Sequence, residues 1–314
     1  MLSRVADSLY WLGRYGERVE TNAHIMNMQM DQMLEQGSTE RHYKQQWSEV
    51  LDICGYMEDY ETRINSYQLE HILRYLLTDT KNFNSINALL ESIRTNAKNT
   101  RDCIPNELFE EWNSLYLTTK NAPLEDYNVL STTNYLQQVR KTSLTAAGII
   151  DSLMTRDESF LFLKIGKWLE RSEKTALITI KMMEMENDAS RHFAATTCLQ
   201  LTNSFEEYTR RTRNRESDSI LNFLVGDTKC SRSVAYGLRK IKRTLLDIEA
   251  EKVHSYAVQL FEALDELEEL VKLDAGRMTL EERKEWIRLI HERCIQFGPI
   301  FSKTYYLTPP ILVK

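Results

Sequence analysis

The chain has 314 residues, 42% hydrophobic and 27% charged, with a formal net charge of −6. That size and balance suit a soluble protein of one large or two modest domains, and the acidic total argues against a nucleic-acid-binding field. Five dispersed cysteines (Cys54, Cys103, Cys198, Cys230, Cys294) form no Cys-x-x-Cys pair, which favours reduced thiols over a disulfide framework or a zinc site.

At the N-terminus Arg4 and Asp7 precede any apolar run, so no signal peptide is read, and no apolar stretch approaches the roughly 20 residues that span a bilayer. The expectation is a soluble cytoplasmic protein with no membrane partner. Leu9, Leu12, Tyr15, Val19, Ala23 and Met26 then recur at three- and four-residue steps, predicting a long amphipathic helix. Gly37-Ser38-Thr39 reads as a loop. Ser85, six residues after Asp79, reads as a helix N-cap, and Asn121-Ala-Pro123 reads as a break. Residues 151–158 carry no Gly, Pro or low-complexity linker. Beyond them Phe162, Ile165, Trp168, Leu169, Ser172, Ala176 and Ile180 repeat the helical stripe. Gly226-Asp227 and Asp274-Ala-Gly276 are further breaks, Ser233 is a second N-cap, and Ala257, Leu260, Leu264, Leu267 and Val271 share one helix face. Strand-like alternation is missing, and only 10 Gly and 5 Pro occur. The fold class expected is all-α, with about six helices in each half.

The halves are related. Gly13-Arg14-Tyr15-Gly16-Glu17-Arg18-Val19-Glu20 recurs 153 positions later as Gly166-Lys167-Trp168-Leu169-Glu170-Arg171-Ser172-Glu173. At an offset of 148, Leu51, Glu58, Tyr60 and Arg63 match Leu199, Glu206, Tyr208 and Arg211. In the same frame Ile72, Leu73, Leu76, Asp79, Thr80, Lys81, Ser85, Leu90 and Ile93 are identical to their counterparts in 220–242. The pattern predicts tandem repeats over 1–150 and 151–314, packed closely as one pseudo-two-fold helical bundle assembly.

On a helix, Gly13, Glu17 and Glu20 fall along one strip, with Arg14 and Arg18 beside it and Arg14 within reach of Glu17. Glycine there costs about 1 kcal/mol against alanine, which suggests that another backbone or a ligand comes close. Gly166, Lys167, Glu170, Arg171 and Glu173 repeat the pattern. Two readings stand for Arg14, Glu17, Arg18, Glu20, Lys167, Glu170, Arg171 and Glu173. They form a buried ion-pair network that fixes helix packing, or they line a ligand- or partner-binding site between the repeats in which arginines hold a carboxylate or phosphate.

The opening residues 1–20, the Tyr208-Thr-Arg-Arg211 segment and the Asp227 to Ser233 spacing resemble the Alpha-E family, α-helical proteins named for a Glu-Arg motif and commonly duplicated in tandem. The resemblance covers essentially the full length. It implies a component of a peptide synthesis or modification system, associated with a circularly permuted ATP-grasp ligase and a transglutaminase-like protein. No reaction follows for the Alpha-E domain itself, so a non-catalytic role leads. An enzyme or ligand-binding subunit that uses the duplicated cluster for amide or peptide chemistry is the alternative.

Other chemistry is thin. Glu251/His254 and Glu20/His24 have helical metal-ligand spacing, but neither histidine recurs in the other copy, where Leu177 matches His24. His291 and Cys294 are a sequence-level dyad better read as packing residues. No Gly-rich phosphate loop or hydrolase elbow occurs, and no catalytic residue, metal or cofactor is expected. Arg210, Arg211, Arg213 and Arg215 form a basic run whose two readings are a self-paired surface and a secondary anion or partner patch. Arg239, Lys240, Lys242 and Arg243 are a second basic cluster. Homo-oligomerisation is left open.

Overall fold

The computed structural model describes residues 1–35, 40–121, 124, 126–184 and 191–305. The expected breaks at Gly37-Ser38-Thr39 and Ala122-Pro123 lie outside the described residues. Among the described residues there are fourteen α-helices, three short 3-10 turns and no strand, so the fold is all-α. The first half holds α1 (Ser3–Glu35), α2 (Glu40–Cys54), α3 (Met57–Arg63), α4 (Leu69–Leu77), α5 (Ile86–Asn99), α6 (Asn106–Asn121) and α7 (Val129–Leu153). The second holds α8 (Glu158–Glu184), α9 (Arg191–Leu201), α10 (Phe205–Arg211), α11 (Ser217–Gly226), α12 (Val234–Ile248), α13 (Val258–Leu270) and α14 (Leu280–Thr304). A long helix, three shorter ones, a capped helix, another, and a second long helix thus occur twice in the same order.

Local devices explain the repetition. Ser85 and Ser233 cap α5 and α12, their Oγ atoms accepting from the backbone N–H groups of Ala88 (3.3 Å) and Tyr236 (3.1 Å). Each hydroxyl also donates to the carbonyl of the aspartate six residues earlier, Asp79 or Asp227. Those aspartates receive an arginine, Arg63 on Asp79 at 2.9 Å and Arg211 on Asp227 at 3.0 Å. The same arginines lie over Tyr75 (5.4 Å) and Phe223 (5.5 Å), which pack edge-on against Tyr60 and Tyr208. The Tyr60 hydroxyl donates to the Ser66 carbonyl, and that of Tyr208 to the Asn214 carbonyl at 2.7 Å. Four of the matched pairs, Tyr60/Tyr208, Arg63/Arg211, Asp79/Asp227 and Ser85/Ser233, therefore tie the start of a capped helix to the end of an earlier one.

The chain divides into two compact units, Met1–Arg14 with Arg156–Lys314, and Tyr15–Thr155. Helix α1 gives its first turns to one unit and its remainder to the other. In the first unit α8 is the central helix, with α12 and α14 packed along it and α13 against α14. Its core includes Leu9, Ile165, Leu169, Leu238, Ile241, Leu264, Ile290, Phe297 and Phe301, all nearly or fully excluded from solvent. In the second unit α5, α6 and α7 pack in succession, and α4 brings Ile72, Leu73 and Leu76 into the core with Leu89, Leu108, Leu115 and Leu136. Trp112 of α6 lies beside Gly16 of α1.

Candidate functional site

The first strip of α1 crosses α8 at the two matched glycines. A Cβ on Gly13 would be driven into the Leu163 carbonyl oxygen and would lie 2.9 Å from the Lys167 nitrogen. A Cβ on Gly166 would be driven into the Tyr10 carbonyl oxygen and lie 3.1 Å from the Arg14 nitrogen. Tyr10 corresponds to Leu163 and Arg14 to Lys167 in the sequence alignment, so the first turns of α1 and α8 meet through matching backbone atoms. What approaches the glycine strip is a backbone. Only glycine permits contact at that distance, because any side chain would hold the two helices apart.

The close crossing brings Arg14 onto α8. Its Nε lies 2.5 Å from Glu170 Oε2, its Nη2 2.8 Å from Glu173 Oε2, and its Nη1 donates to the Tyr10 hydroxyl at 3.2 Å. Both carboxylates come from another helix, where the sequence placed Glu17 within reach one turn along α1. Arg14 is 6% exposed and Glu170 wholly buried, so this is an interior ion-pair cluster. Burial alone would lower the Arg14 guanidinium, but Glu170 and Glu173 outweigh it and hold it firmly protonated. Helix α14 closes one side, with Gly298 against the Tyr10 hydroxyl and Phe301 stacked on the Tyr10 ring at 5.1 Å.

His291 and Cys294 also border this cluster. Burial lowers His291. Burial, joined by Glu173 and opposed by Arg14, pushes the Cys294 thiol far up. A buried neutral thiol is a poor nucleophile, which matches a packing role.

The remaining motif residues are distributed differently. Glu17 and Glu20 are buried at 5% exposure each, on the part of α1 that belongs to the other unit. Arg18 donates to Asn84 Oδ1 at 3.1 Å and lies over Tyr15. Arg171 donates to the Ser231 carbonyl at 3.2 Å and lies over Trp168, as does Lys167. Arg18 and Arg171 are only half-buried. Each reaches the turn ahead of a Ser-capped helix, α5 in one copy and α12 in the other.

The helical spacing assumed for Glu251 and His254 is not realised. Helix α12 stops at Ile248, and Ala250 and Glu251 adopt left-handed φ of 51° and 63°, so the two residues do not share a helix face. His254 instead bonds Glu249 through Nδ1 at 2.7 Å. That wholly buried carboxylate also accepts from Tyr256 (3.1 Å) and Tyr305 (2.8 Å). No periodicity signalled this cluster, because Glu249 is the residue that ends α12 and its partners come from two separate segments, one around Tyr256 and one after α14.

In the basic run, Arg211 is held by Glu207 and Asp227, and Arg210 donates to the Glu206 carbonyl at 3.2 Å. Arg213 and Arg215 extend beyond α10 and line a cavity of about 300 Å³. Of the second cluster, Lys242 pairs with Asp265 and Glu268, Arg243 pairs with Asp247 and Glu251, and Arg239 and Lys240 flank the Tyr236 ring.

Fold and site together define an all-helical protein whose glycine strip and Arg14–Glu170–Glu173 cluster join the start of α1 to α8. The Alpha-E family model, described as a predicted alpha-helical domain with a conserved ER motif, matches residues 1–306. The chain belongs to that family. No curated protein and no solved structure matches it. No described helix is long and apolar enough to cross a membrane.

Proposed function

We propose that this chain is a non-catalytic helical component of a peptide synthesis or modification system. It works by assembling with a circularly permuted ATP-grasp ligase and a transglutaminase-like protein, as the family resemblance implies. The observation that supports the non-catalytic reading is the Arg14–Glu170–Glu173 cluster. Its guanidinium is spent on internal carboxylates at a backbone-to-backbone crossing, where a substrate would have to displace protein. Buried charge of this kind fixes which helices pack together more than it adds net stability. Cytoplasmic placement and a pseudo-two-fold arrangement of the repeats 1–150 and 151–314 belong to the same reading. Five free thiols fit the former, and the repeated helix order fits the latter.

Within this reading Arg18 and Arg171 are the motif residues offered to a partner, since both are half-buried and equivalent in the two copies. The test is purification of the tagged chain from its native host, comparing wild type with Arg18→Lys and Arg171→Lys. A stoichiometric ATP-grasp-type ligase that is lost from the two variants, with their unfolding midpoints unchanged, is the expected outcome. Amide-forming or amide-cleaving turnover by the isolated chain would overturn the non-catalytic role and leave the enzyme reading.

A further inference from the structure

The segments after α3 and after α10 correspond in sequence but differ in backbone and in chemistry, α3 ending through a left-handed Asn65 (φ 45°) and α10 through an extended Thr212. At the offset of 148, Asn65 corresponds to Arg213, Tyr67 to Arg215 and Ser48 to Thr196. In the first half the Tyr67 ring packs edge-on against Tyr60, at 6.4 Å between centroids, and its hydroxyl accepts from Ser48 Oγ at 3.0 Å. A half-buried phenol of the chain itself thus occupies this side of Tyr60. In the second half the equivalent place is the cavity of about 300 Å³, with Thr196 where Ser48 would be and Arg213 and Arg215 among its lining residues. Tyr208, the counterpart of Tyr60, forms one wall, and Leu199, Phe205 and Ile220 supply apolar surface. The volume is at the lower end of small-molecule sites, which combine an apolar body with a few placed polar groups.

The loop carrying the arginines is fixed before any ligand arrives. Its Asn214 carbonyl is held by the Tyr208 hydroxyl at 2.7 Å, and the Asn214 side chain bonds Ser219 Oγ at 2.7 Å and the Glu216 backbone N–H at 2.9 Å. We propose that this cavity is a binding site for an aromatic ring carrying a carboxylate. The ring takes the place that Tyr67 fills in the other half, edge-on to Tyr208, and the carboxylate meets Arg213 and Arg215 at the rim. Either a free aryl acid or the C-terminal aromatic residue of a peptide has this chemistry. The inference is independent of which proteins the chain assembles with.

The test uses the full chain and 3-(4-hydroxyphenyl)propionate, titrated by calorimetry beside its neutral amide and beside acetate, which lacks the ring. Saturable binding of the acid is expected, with both controls weaker by about tenfold or more. Arg215→Tyr, which supplies the phenol of the other half, abolishes binding, and Arg213→Asn weakens it about tenfold while the unfolding midpoint stays the same. A peptide ending in free tyrosine that binds more tightly than the free acid identifies a peptide terminus as the source. The reverse order identifies a small aryl acid. Equal affinity for acid and amide, unchanged binding by Arg215→Tyr and Arg213→Asn, or no saturable binding at millimolar concentrations would each overturn the proposal.

Discussion

Alanine at four helical glycines should act with opposite signs. At Gly13 the new Cβ would lie 2.9 Å from the Lys167 nitrogen and closer still to the Leu163 oxygen, against ordinary contact at 3.4 Å or more. The helices must part by at least 3.4 − 2.9 = 0.5 Å at the nitrogen, and by more at the oxygen. Both atoms are backbone, so no rotamer change relieves the strain, and overpacking of this kind costs about 1–3 kcal/mol. Separation also lengthens the short Arg14–Glu170 contact, which adds to the loss. Alanine's better helix propensity offsets about 1 kcal/mol, leaving a net destabilisation of about 1–2 kcal/mol, once the weakened ion pair is included, for Gly13→Ala and likewise for Gly166→Ala. At Gly148 of α7 an added Cβ meets nothing within 4 Å, and at Gly16 its nearest neighbour is Trp112 at 3.8 Å. There the propensity term stands alone, and each alanine should stabilise by up to about 1 kcal/mol. Urea unfolding of the four variants, read as midpoints at constant slope, measures the contrast. If Gly13→Ala and Gly148→Ala move the midpoint in the same direction, the close crossing does not exist as described.

Three further outcomes follow from the same geometry. Arg14→Met removes the buried Arg14 cation from the wholly buried Glu170 and should cost about 3–5 kcal/mol in urea unfolding, while Arg14→Met combined with Glu170→Met should recover most of that loss. Glu49, raised by burial to about 7 from 4.5, keeps its proton to higher pH when folded than when unfolded. The native state then binds more protons across that interval, so stability falls as pH rises from about 4.5 to about 7 and is level above it. Glu49→Gln should flatten this slope, and an unchanged pH profile would remove the assignment. In native protein, a thiol reagent should modify the half-exposed Cys103 first, with Cys54, Cys198, Cys230 and Cys294 reacting only on unfolding. Mass mapping of the labelled peptides decides that point.

Helical periodicity and the scarcity of Gly and Pro were sufficient for the all-α class. A 3.6-residue apolar stripe is a local property that survives without knowledge of neighbours. The offset of 148 likewise carried the Ser85 and Ser233 caps, because a cap satisfies backbone groups within one turn of itself. Gly13 and Gly166 were legible as sites of close approach, since a helix tolerates glycine on a packed strip only for a reason. What approaches them was not. Spacing along α1 favoured Glu17 as the partner of Arg14, whereas the chain folds α8 against α1 and supplies Glu170 and Glu173 from 156 and 159 positions away. The same limit applies to Glu249, whose donors His254, Tyr256 and Tyr305 converge only after α12 ends and α14 returns. Tyr67 and Arg215 occupy equivalent positions at the offset of 148, but only the packed chain sets the one against Tyr60 and Ser48 and the other at the edge of a cavity. Periodicity and capping are short-range and can be read from order alone. Burial of charge, and the presence or absence of a space, are properties of the packed interior, and only the tertiary structure decides them.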